Sequence, residues 1–412
     1  MKGMIQKYAE LAIRKGVNLQ KGQILIINAS VNAVELTRAC VEEAYKAGAK
    51  RVQVFYQDEY INRSNYFYQS DEELQHIYPW EIDSRLDLMK DGACILHIIS
   101  EIPGIMNGVD ASKISKARMA KAILSKDLQE YTMLNKTQWC IIAVSNKEWA
   151  DVVFPEFEGE IGAEEELMDR ILSSVHVRED NDPIEEWTKL NASFQSRIQK
   201  LNTYHFDSLH FVNSLGTDLY VELPKTHIWA GGSEKTESGV EFNPNMPTEE
   251  IFSMPKRDGV NGIVYASRPL LYNGTMINDF WIRFKDGKAV EFDAKEGLDA
   301  LTELINFDEG SSYLGEVALV PYHSPISESG ILFYNTLFDE NASCHLALGR
   351  AYPMNMEGSQ DMSEEEMKAK GCNFSMVHVD FMFGSDDMQI TGVHADKTEV
   401  VFFKDGKFCI EA

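Results

Sequence analysis

Two residues near the C-terminal end of the sequence have a spacing suited to metal binding. His378 and Asp380 are separated by one valine in the run SMVHVDFMFG. In an extended chain alternate side chains point to the same face, so the imidazole and the carboxylate project together while Val379 and Phe381 take the other face. A strand of this kind offers two metal ligands at once, but a histidine near an aspartate is more often a hydrogen-bonded structural pair. The other polar residues of the chain decide between these interpretations.

Two segments with glutamates are further candidates. Glu249 and Glu250 stand between two proline-bearing turns in NPNMPTEEIFSMP, where paired carboxylates are usually solvated. Glu316 is predicted to begin the apolar strand in YLGEVALVPYHSP. An unpaired carboxylate is costly to bury in such a strand, so we predict a functional or metal-bound role for Glu316.

The segment LFDENASCHLALGRAYP brings several reactive residue types together. It contains Asp339, Glu340 and His345, and then Arg350 and Tyr352 after a glycine. A buried histidine that caps a turn is the ordinary interpretation of such a stretch. Two acids, an imidazole, an arginine and a phenol in one loop-rich segment nevertheless predict a site.

The candidate ligands are more numerous than one metal ion requires. Mixed imidazole and carboxylate ligands suit zinc, cobalt or manganese. A catalytic zinc ion uses about three protein ligands and keeps an open position. Two ions about 3.5 to 4 Å apart that share one carboxylate would account for a larger set.

The first part of the chain is predicted to be a doubly wound α/β domain. Apolar strand-like runs such as Gln23–Ser30 and Ala93–Ser100 alternate with helical segments, which is typical of a parallel sheet covered on both faces. Neither GxGxxG nor GxxxxGK[ST] occurs, so we expect no nucleotide cofactor. Two acidic helices are predicted between about residues 162 and 201, and we place this domain at residues 1–200.

Beyond Tyr204 the pattern changes towards the period of two that is typical of strands. Three turn dipeptides join the β-rich stretches: Asn273-Gly274, Asp286-Gly287 and Asp405-Gly406. We therefore predict an α+β domain at residues 201–412, built on antiparallel or mixed sheet and carrying the two-metal site. The domain boundary falls somewhere in residues 160–200.

Charge and hydropathy narrow the partners and the compartment. The 412 residues carry a formal net charge of -26, which repels nucleic acid and anionic lipid surfaces, so we expect no partner of either kind. The opening run MKGMIQKYAELAIRKG has the spacing of an amphipathic helix rather than of a signal peptide, and no apolar run reaches the about 18 residues of a membrane span. The six scattered cysteines favour a reducing compartment, and we expect a cytoplasmic protein.

Four motifs together resemble those of the thermophilic-type metallo-aminopeptidase family, typified by aminopeptidase T, aminopeptidase S and PepS. They are PTEEIFSMP, LGEVALV with the following HSPIS, FDENASCHLALGRAYP and HVDFMFGS, and the resemblance extends over nearly the whole chain. It implies a site with two divalent ions per subunit (Zn, Co or Mn), peptide substrates with a free N-terminus, and a homodimer. The implied ligands are Glu250, Glu316, His345, His378 and Asp380.

The resemblance also implies the reaction. A metal-activated water would hydrolyse the N-terminal peptide bond, with Glu316 as the bridging ligand and Glu316 or Glu340 as proton acceptor. Tyr352 is implied to be catalytic, and Glu340 to be a metal ligand, a general base or a support of His345. The alternatives are a two-metal phosphoesterase, for which Arg350 is the one basic group in the candidate segments, and a non-enzymatic metal- or peptide-binding protein.

Two further residues have two interpretations each. His323 either orients a metal ligand or makes a structural hydrogen bond. Trp229, which precedes Gly231 and Gly232, either lines a substrate pocket or packs beside a glycine turn.

Overall fold

The computed structural model describes residues 2–157 and 162–410. By its contacts the chain divides into two compact units, here called unit 1 (Met1–Lys189 with Ser233–Pro247) and unit 2 (Leu190–Gly232 with Thr248–Ala412). The predicted division between residues 200 and 201 into independent domains stays a prediction.

The helices follow one another in chain order with short connections. Helices α1 to α14 span Lys2–Leu11, Val34–Ala47, Glu59–Tyr68, Asp71–Gln75, Pro79–Lys90, Ala111–Leu124, Lys126–Met133, Lys147–Val153, Gly162–Ser174, Pro183–Tyr204, Leu298–Ile305, Pro325–Glu328, Thr336–Asp339 and Glu364–Ala369. In the part of the chain that the structure describes, none of them combines the length and the apolar character needed to cross a lipid bilayer.

Most of the strands lie in unit 2. Strands β1 to β19 span Ile24–Ser30, Arg51–Gln57, Cys94–Ile99, Trp139–Ala143, Ser208–Val212, Asp218–Glu222, Glu234–Lys235, Glu241–Phe242, Ile251–Ser253, Val260–Tyr265, Leu270–Tyr272, Thr275–Lys285, Lys288–Glu296, Leu314–Leu319, His345–Gly349, His378–Met382, Gln389–Val393, Glu399–Lys404 and Lys407–Phe408.

Unit 1 is built on a parallel sheet of order β2-β1-β3-β4. Strand β1 has buried residues on both faces, which explains its almost uniformly apolar sequence. Helix α2 buries Leu36, Cys40 and Ala44 at helical spacing and ends at Gly48, whose φ of 98° is the left-handed conformation that glycine adopts readily. The predicted parallel sheet is therefore confirmed, whereas helices α3, α4, α7 and α8 were not predicted from the sequence.

The larger sheet of unit 2 is antiparallel, in the order β11-β12-β10-β6-β5-β17-β18-β19, with β13 paired to β12. The three turn dipeptides each join two adjacent strands of this sheet, as predicted, and both residues of each turn have positive φ. Asparagine or aspartate followed by glycine tolerates that conformation, which matches the twist of the paired strands.

A second antiparallel sheet of unit 2, of order β16-β15-β14-β9, carries the candidate ligands. One face lies on the hydrophobic core through Val317, Leu346, Leu348 and Phe381. The sequence placed His345 in a loop-rich stretch, but it begins strand β15. The buried Leu346 and Leu348 alternate with residues of the other face, and this alternation makes the segment a strand.

Candidate metal centre

The second sheet of unit 2 arranges the candidate ligands in neighbouring rows across its strands. Glu316 on β14 and Asp380 on β16 are both partners of Ala347 on the central strand β15. His345 is the partner of Met382, two residues beyond Asp380. Because residues two apart share a face, these side chains leave the sheet on the side away from the core.

Glu316 occupies an irregular position of its strand. The pairing register of β14 and β15 shifts between Leu314 and Glu316, and an irregularity of this kind redirects the side chain beside it. Glu316 is the third residue of β14 rather than the first, as the sequence predicted, and its side chain is 6% exposed. A carboxylate this deeply buried requires partners.

Two imidazoles face the two oxygens of Glu316. Oε1 of Glu316 lies 3.5 Å from Nε2 of His345, and Oε2 lies 3.5 Å from Nε2 of His378. Nε2 of His345 is also 3.1 Å from Oε2 of Glu250, which stands just before β9. Nε2 of His378 is 3.3 Å from Oδ1 of Asp380.

Among the described residues, two groups of three side chains are close enough to hold a cation. Each group offers ligand atoms within 4.8 Å of one another, and Glu316 belongs to both. The first group is Glu250, Glu316 and His345, and the second is Glu316, His378 and Asp380.

Backbone carbonyls orient both imidazoles. Nδ1 of His378 lies 2.6 Å from the carbonyl oxygen of Arg350, and Nδ1 of His345 lies 3.3 Å from that of Ser343. When Nδ1 donates its proton to a carbonyl, the lone pair of a neutral imidazole is left on Nε2, which faces the carboxylates. This is the arrangement that metal-ligating histidines typically have.

The pKa values in this cluster reflect burial and close opposite charges. Burial raises the pKa of Glu316 to about 7, although the hydrogen bond with His345 opposes the shift. Burial acts to lower the pKa of His378, but the charges of Asp380 and Glu316 outweigh it and raise that pKa to about 9. The pKa of Asp380 is lowered because its attraction to His378 exceeds the effect of burial.

The cluster fits divalent cations. Oδ1 of Asp380 is buried and lacks a partner with hydrogen-bond geometry, although Nε2 of His378 is close to it. Carboxylates beside neutral imidazoles form the donor set that zinc, cobalt and manganese accept. A buried polar atom without a hydrogen bond is rare in folded proteins, and an ion would satisfy it.

Glu340 and Tyr352 lie beside the two groups of three. Glu340 belongs to neither group, but burial and the nearby Glu250 and Asp380 raise its pKa well above the ordinary value. The ring of Tyr352 is 4.6 Å from the ring of His378 between centroids, and the side chain is 41% exposed. Desolvation and the charges of Glu316 and Asp380 raise the pKa of its hydroxyl, which keeps it protonated at neutral pH.

Three residues that support the cluster were not singled out from the sequence. Ala347, between Glu316 and Asp380, has a side chain small enough to leave space above the sheet. Oδ1 of the buried Asn341 accepts a hydrogen bond of 2.7 Å from the backbone N–H of Glu249. Gly231 has a φ of 146°, and a Cβ there would lie 2.4 Å from the carbonyl oxygen of Glu250.

Only one of these three residues left a readable signal. The run HLALG alternates large apolar residues with residues that are polar or small, which marks one face of a strand as different. The contacts of Asn341 and Gly231 join residues far apart in sequence, so a single sequence does not reveal them.

The remaining candidates lie elsewhere. Trp229 is 1% exposed within the core of unit 2, and its backbone N–H donates a hydrogen bond to Asn202. His323 is 3.9 Å from the exposed Glu328 and belongs to neither group of possible ligands. These two residues therefore have structural surroundings.

A buried cluster of carboxylates and imidazoles on an open sheet face is typical of metal-dependent hydrolases. A family model for thermophilic metalloproteases (M29) matches residues 1–408. Aminopeptidase AmpS of Bacillus subtilis is 42% identical over 404 residues, 98% of each chain. Aminopeptidase 2 of Geobacillus stearothermophilus is 40% identical over 408 residues, 99% of this chain and 98% of its own.

A solved structure agrees with these relatives. Wild-type AmpT from Thermus thermophilus has a TM-score of 0.92 and 37% identity, covering 99% of this chain and 100% of its own. The chain therefore belongs to the M29 family of thermophilic metalloproteases, and the predicted enzyme class, a metal-dependent peptide hydrolase, is confirmed.

Proposed function

We propose that this protein is an aminopeptidase that hydrolyses the N-terminal peptide bond of peptides with two divalent ions. Glu250, Glu316 and His345 would hold one ion, and Glu316, His378 and Asp380 the other. The observation that carries the proposal is that the two oxygens of Glu316 face two different imidazoles, so that one carboxylate serves both groups. The aminopeptidases among its relatives support the reaction.

The charge of the cluster supports two ions rather than one. Four carboxylates, those of Glu250, Glu316, Glu340 and Asp380, influence one another in this buried region. With neutral imidazoles and all four acids ionised, the total charge is four times -1, which two ions of charge +2 balance. Uncompensated buried charge is costly, so this balance stabilises the loaded site.

Divalent ions bound here would activate a water molecule and polarise the peptide carbonyl. The donor set suits zinc, cobalt or manganese and does not distinguish among them.

Glu340 is the proposed proton acceptor of the reaction. It lies outside both groups of three, so its carboxylate is free of the ligand role in this assignment. A carboxylate whose pKa is raised by burial and by other acids holds a proton more readily than an ordinary one. It would take the proton of the attacking water on Oε1 or Oε2 and deliver it to the leaving amine.

Tyr352 is the proposed donor to the developing oxyanion. Its hydroxyl remains protonated at neutral pH, and its ring lies beside His378 at the edge of the cluster. A donor fixed in advance where negative charge develops stabilises the transition state. The carboxylates would also attract the cationic amine of a peptide N-terminus, which would restrict cleavage to the first residue. The homodimer and the cytoplasmic location stay predictions.

The test is hydrolysis of leucine 4-nitroanilide by protein loaded with zinc, cobalt or manganese, together with metal analysis. For Tyr352→Phe we expect unchanged metal content and a kcat lower by about 10²-fold or more. Tyr220→Phe is the matched control, because Tyr220 is exposed on β6 in the same unit, and it should behave like the unaltered protein. If the metal-loaded protein hydrolyses no aminoacyl anilide or dipeptide, the proposal is wrong.

A further inference from the structure

A cavity of about 80 Å³ adjoins the metal cluster within unit 2. Two of its lining residues, Glu340 and Asp380, belong to the cluster region, and four others are apolar: Leu270, Leu271, Leu332 and Met382. One end of the cavity is therefore acidic and the rest is mainly aliphatic.

The strand that carries Asp380 also forms the apolar wall. Asp380 and Met382 are two residues apart on β16 and share a face. Met382 is also the cross-strand partner of His345. A group bound against Met382 would thus lie next to ligands of both ions, at the distance of one side chain from the reacting bond.

Hydrogen bonds fix the opposite wall before any substrate binds. The buried carboxylate of Asp339 accepts from the backbone N–H of Phe333 at 2.8 Å and of Asn335 at 3.0 Å. The guanidinium of Arg268 donates to the carbonyl oxygen of Ile331 at 3.3 Å. Leu332 lies within this tied segment, so the width of the cavity is set by the fold.

We propose that this cavity receives the side chain of the substrate's N-terminal residue and selects an aliphatic one. One water-sized group takes up about 10–15 Å³ by the same measure, so the cavity has room for about five to eight heavy atoms. That accommodates leucine, isoleucine or methionine with little space left over, and it is too small for an indole. Among the described lining residues none is basic, so the acidic end disfavours aspartate and glutamate.

This inference depends on the proposed aminopeptidase function, which supplies the substrate whose first residue enters the cavity. A hydrophobic pocket discriminates by about 10–200-fold for each methylene group that it binds. We therefore expect kcat/KM for leucine 4-nitroanilide to exceed that for the alanine compound by at least about 10-fold.

Two variants should change this ratio in a defined way. Leu271 is 38% exposed, so Leu271→Trp adds bulk at the rim without overpacking the core, and it should lower the leucine-to-alanine ratio by about 10-fold. Leu332→Ala widens the cavity and should raise the rate for the phenylalanine compound relative to leucine. Leu215→Trp is the control, because Leu215 is 46% exposed and does not line the cavity, and its ratio should equal that of the unaltered protein.

Binding of free amino acids gives a second readout that needs no turnover. Calorimetric titration of the metal-loaded protein should show tighter binding of L-leucine than of L-alanine, and Leu271→Trp should remove the difference. If both ratios stay unchanged in variants that keep their metal and still hydrolyse the anilides, the cavity does not select the first residue, while the proposed function stands. If no variant and no loaded protein hydrolyses any anilide, both proposals are wrong.

Discussion

The two units bury titratable groups in opposite ways. In unit 1 the buried groups are neutral in their ordinary form, and burial moves each pKa further from the charged state. The pKa of the Tyr8 hydroxyl and of the Cys40, Cys94 and Cys140 thiols is raised, and that of His97 is lowered to about 4. In unit 2, four carboxylates and two imidazoles share one buried face, where attraction keeps Asp380 ionised against the effect of burial.

This difference shows what separates a core from a site. The same desolvation makes the polar groups of unit 1 inert, because each simply stays neutral. The acids of unit 2 cannot all be neutral or all be satisfied by two imidazoles, so the fold is left with a demand for cations. We infer that unit 1 is stable by itself in this respect, whereas the site sheet of unit 2 depends on bound metal.

The largest effect is expected from Glu316→Gln, which removes the carboxylate shared by both groups. Metal content should fall, and kcat/KM should fall by at least about 10³-fold, since several kcal/mol of transition-state stabilisation depend on the ions. The metal-free variant should unfold at a higher temperature than the metal-free unaltered protein, because a buried charge has been replaced by an amide.

The control for that change is Glu222→Gln. Glu222 pairs with Lys256 on the surface of the same unit, and its side chain is 51% exposed. We expect metal content and turnover to be unaffected there. Full metal occupancy with unchanged turnover in Glu316→Gln would contradict the bridging role.

Removal of metal should loosen unit 2 selectively. At a free metal concentration 100 times the dissociation constant, binding stabilises the fold by about 2.7 kcal/mol, and chelation removes this contribution. Hydrogen exchange followed by mass spectrometry should therefore show faster exchange in β14, β15 and β16 after chelation, with β1 and β3 unchanged. Equal acceleration in both units would show that the metal does not act on the site sheet alone.

These expectations rest on features of unequal visibility in the sequence. The face shared by His378 and Asp380 was predictable because strand periodicity is a local property, and the partner of Glu316 was predictable as a need, from the cost of burying a carboxylate. The position of His345 in a central strand was not predicted, because the acids and glycine around it favoured a loop. The exclusion of Glu340 from both groups depends on distances between strands, which a sequence does not contain.

A smaller effect is expected at Asn341, which supports the cluster without belonging to it. Its side chain accepts from the backbone N–H of Glu249 and donates to the carbonyl oxygen of Leu337 at 3.1 Å, so it ties the segment of Glu250 to the turn that carries Glu340. Loss of such a support typically lowers metal affinity by 10- to 100-fold, and we expect about this for Asn341→Ala in a competition titration with a chelator.

The matched control for Asn341 is Asn306→Ala. Asn306 is exposed and also donates to a backbone carbonyl, that of Thr302, but it lies outside both groups of possible ligands. Metal affinity should be unchanged in that variant. Equal losses in the two variants would indicate a general effect on stability rather than support of the cluster.

The smallest effect concerns the pH dependence of unit 1, where two groups act with opposite sign. The pKa of His97 is lowered by burial from 6.5 to about 4, so its contribution is present above pH 6.5 and is lost as the pH falls towards 4. Burial raises the pKa of Glu59 from 4.5 to about 7, so its contribution is present below pH 4.5 and is lost as the pH rises through 7. Between these limits the two contributions oppose each other, and comparison with variants separates them. Relative to the unaltered protein, His97→Gln should become more stable by up to about 1.4 kcal/mol on going from pH 7.5 to 5.5, since one unit of pH below the unfolded pKa corresponds to about that energy. Glu59→Gln should shift in the opposite direction over the same interval. Urea unfolding of metal-loaded protein, followed by hydrogen exchange in β1 and β3, measures both shifts where unit 1 unfolds. A difference between His97→Gln and the unaltered protein that does not change with pH would show that His97 takes up a proton as easily in the fold as in the unfolded chain, and the contrast between inert groups in unit 1 and charged groups in unit 2 would then fail.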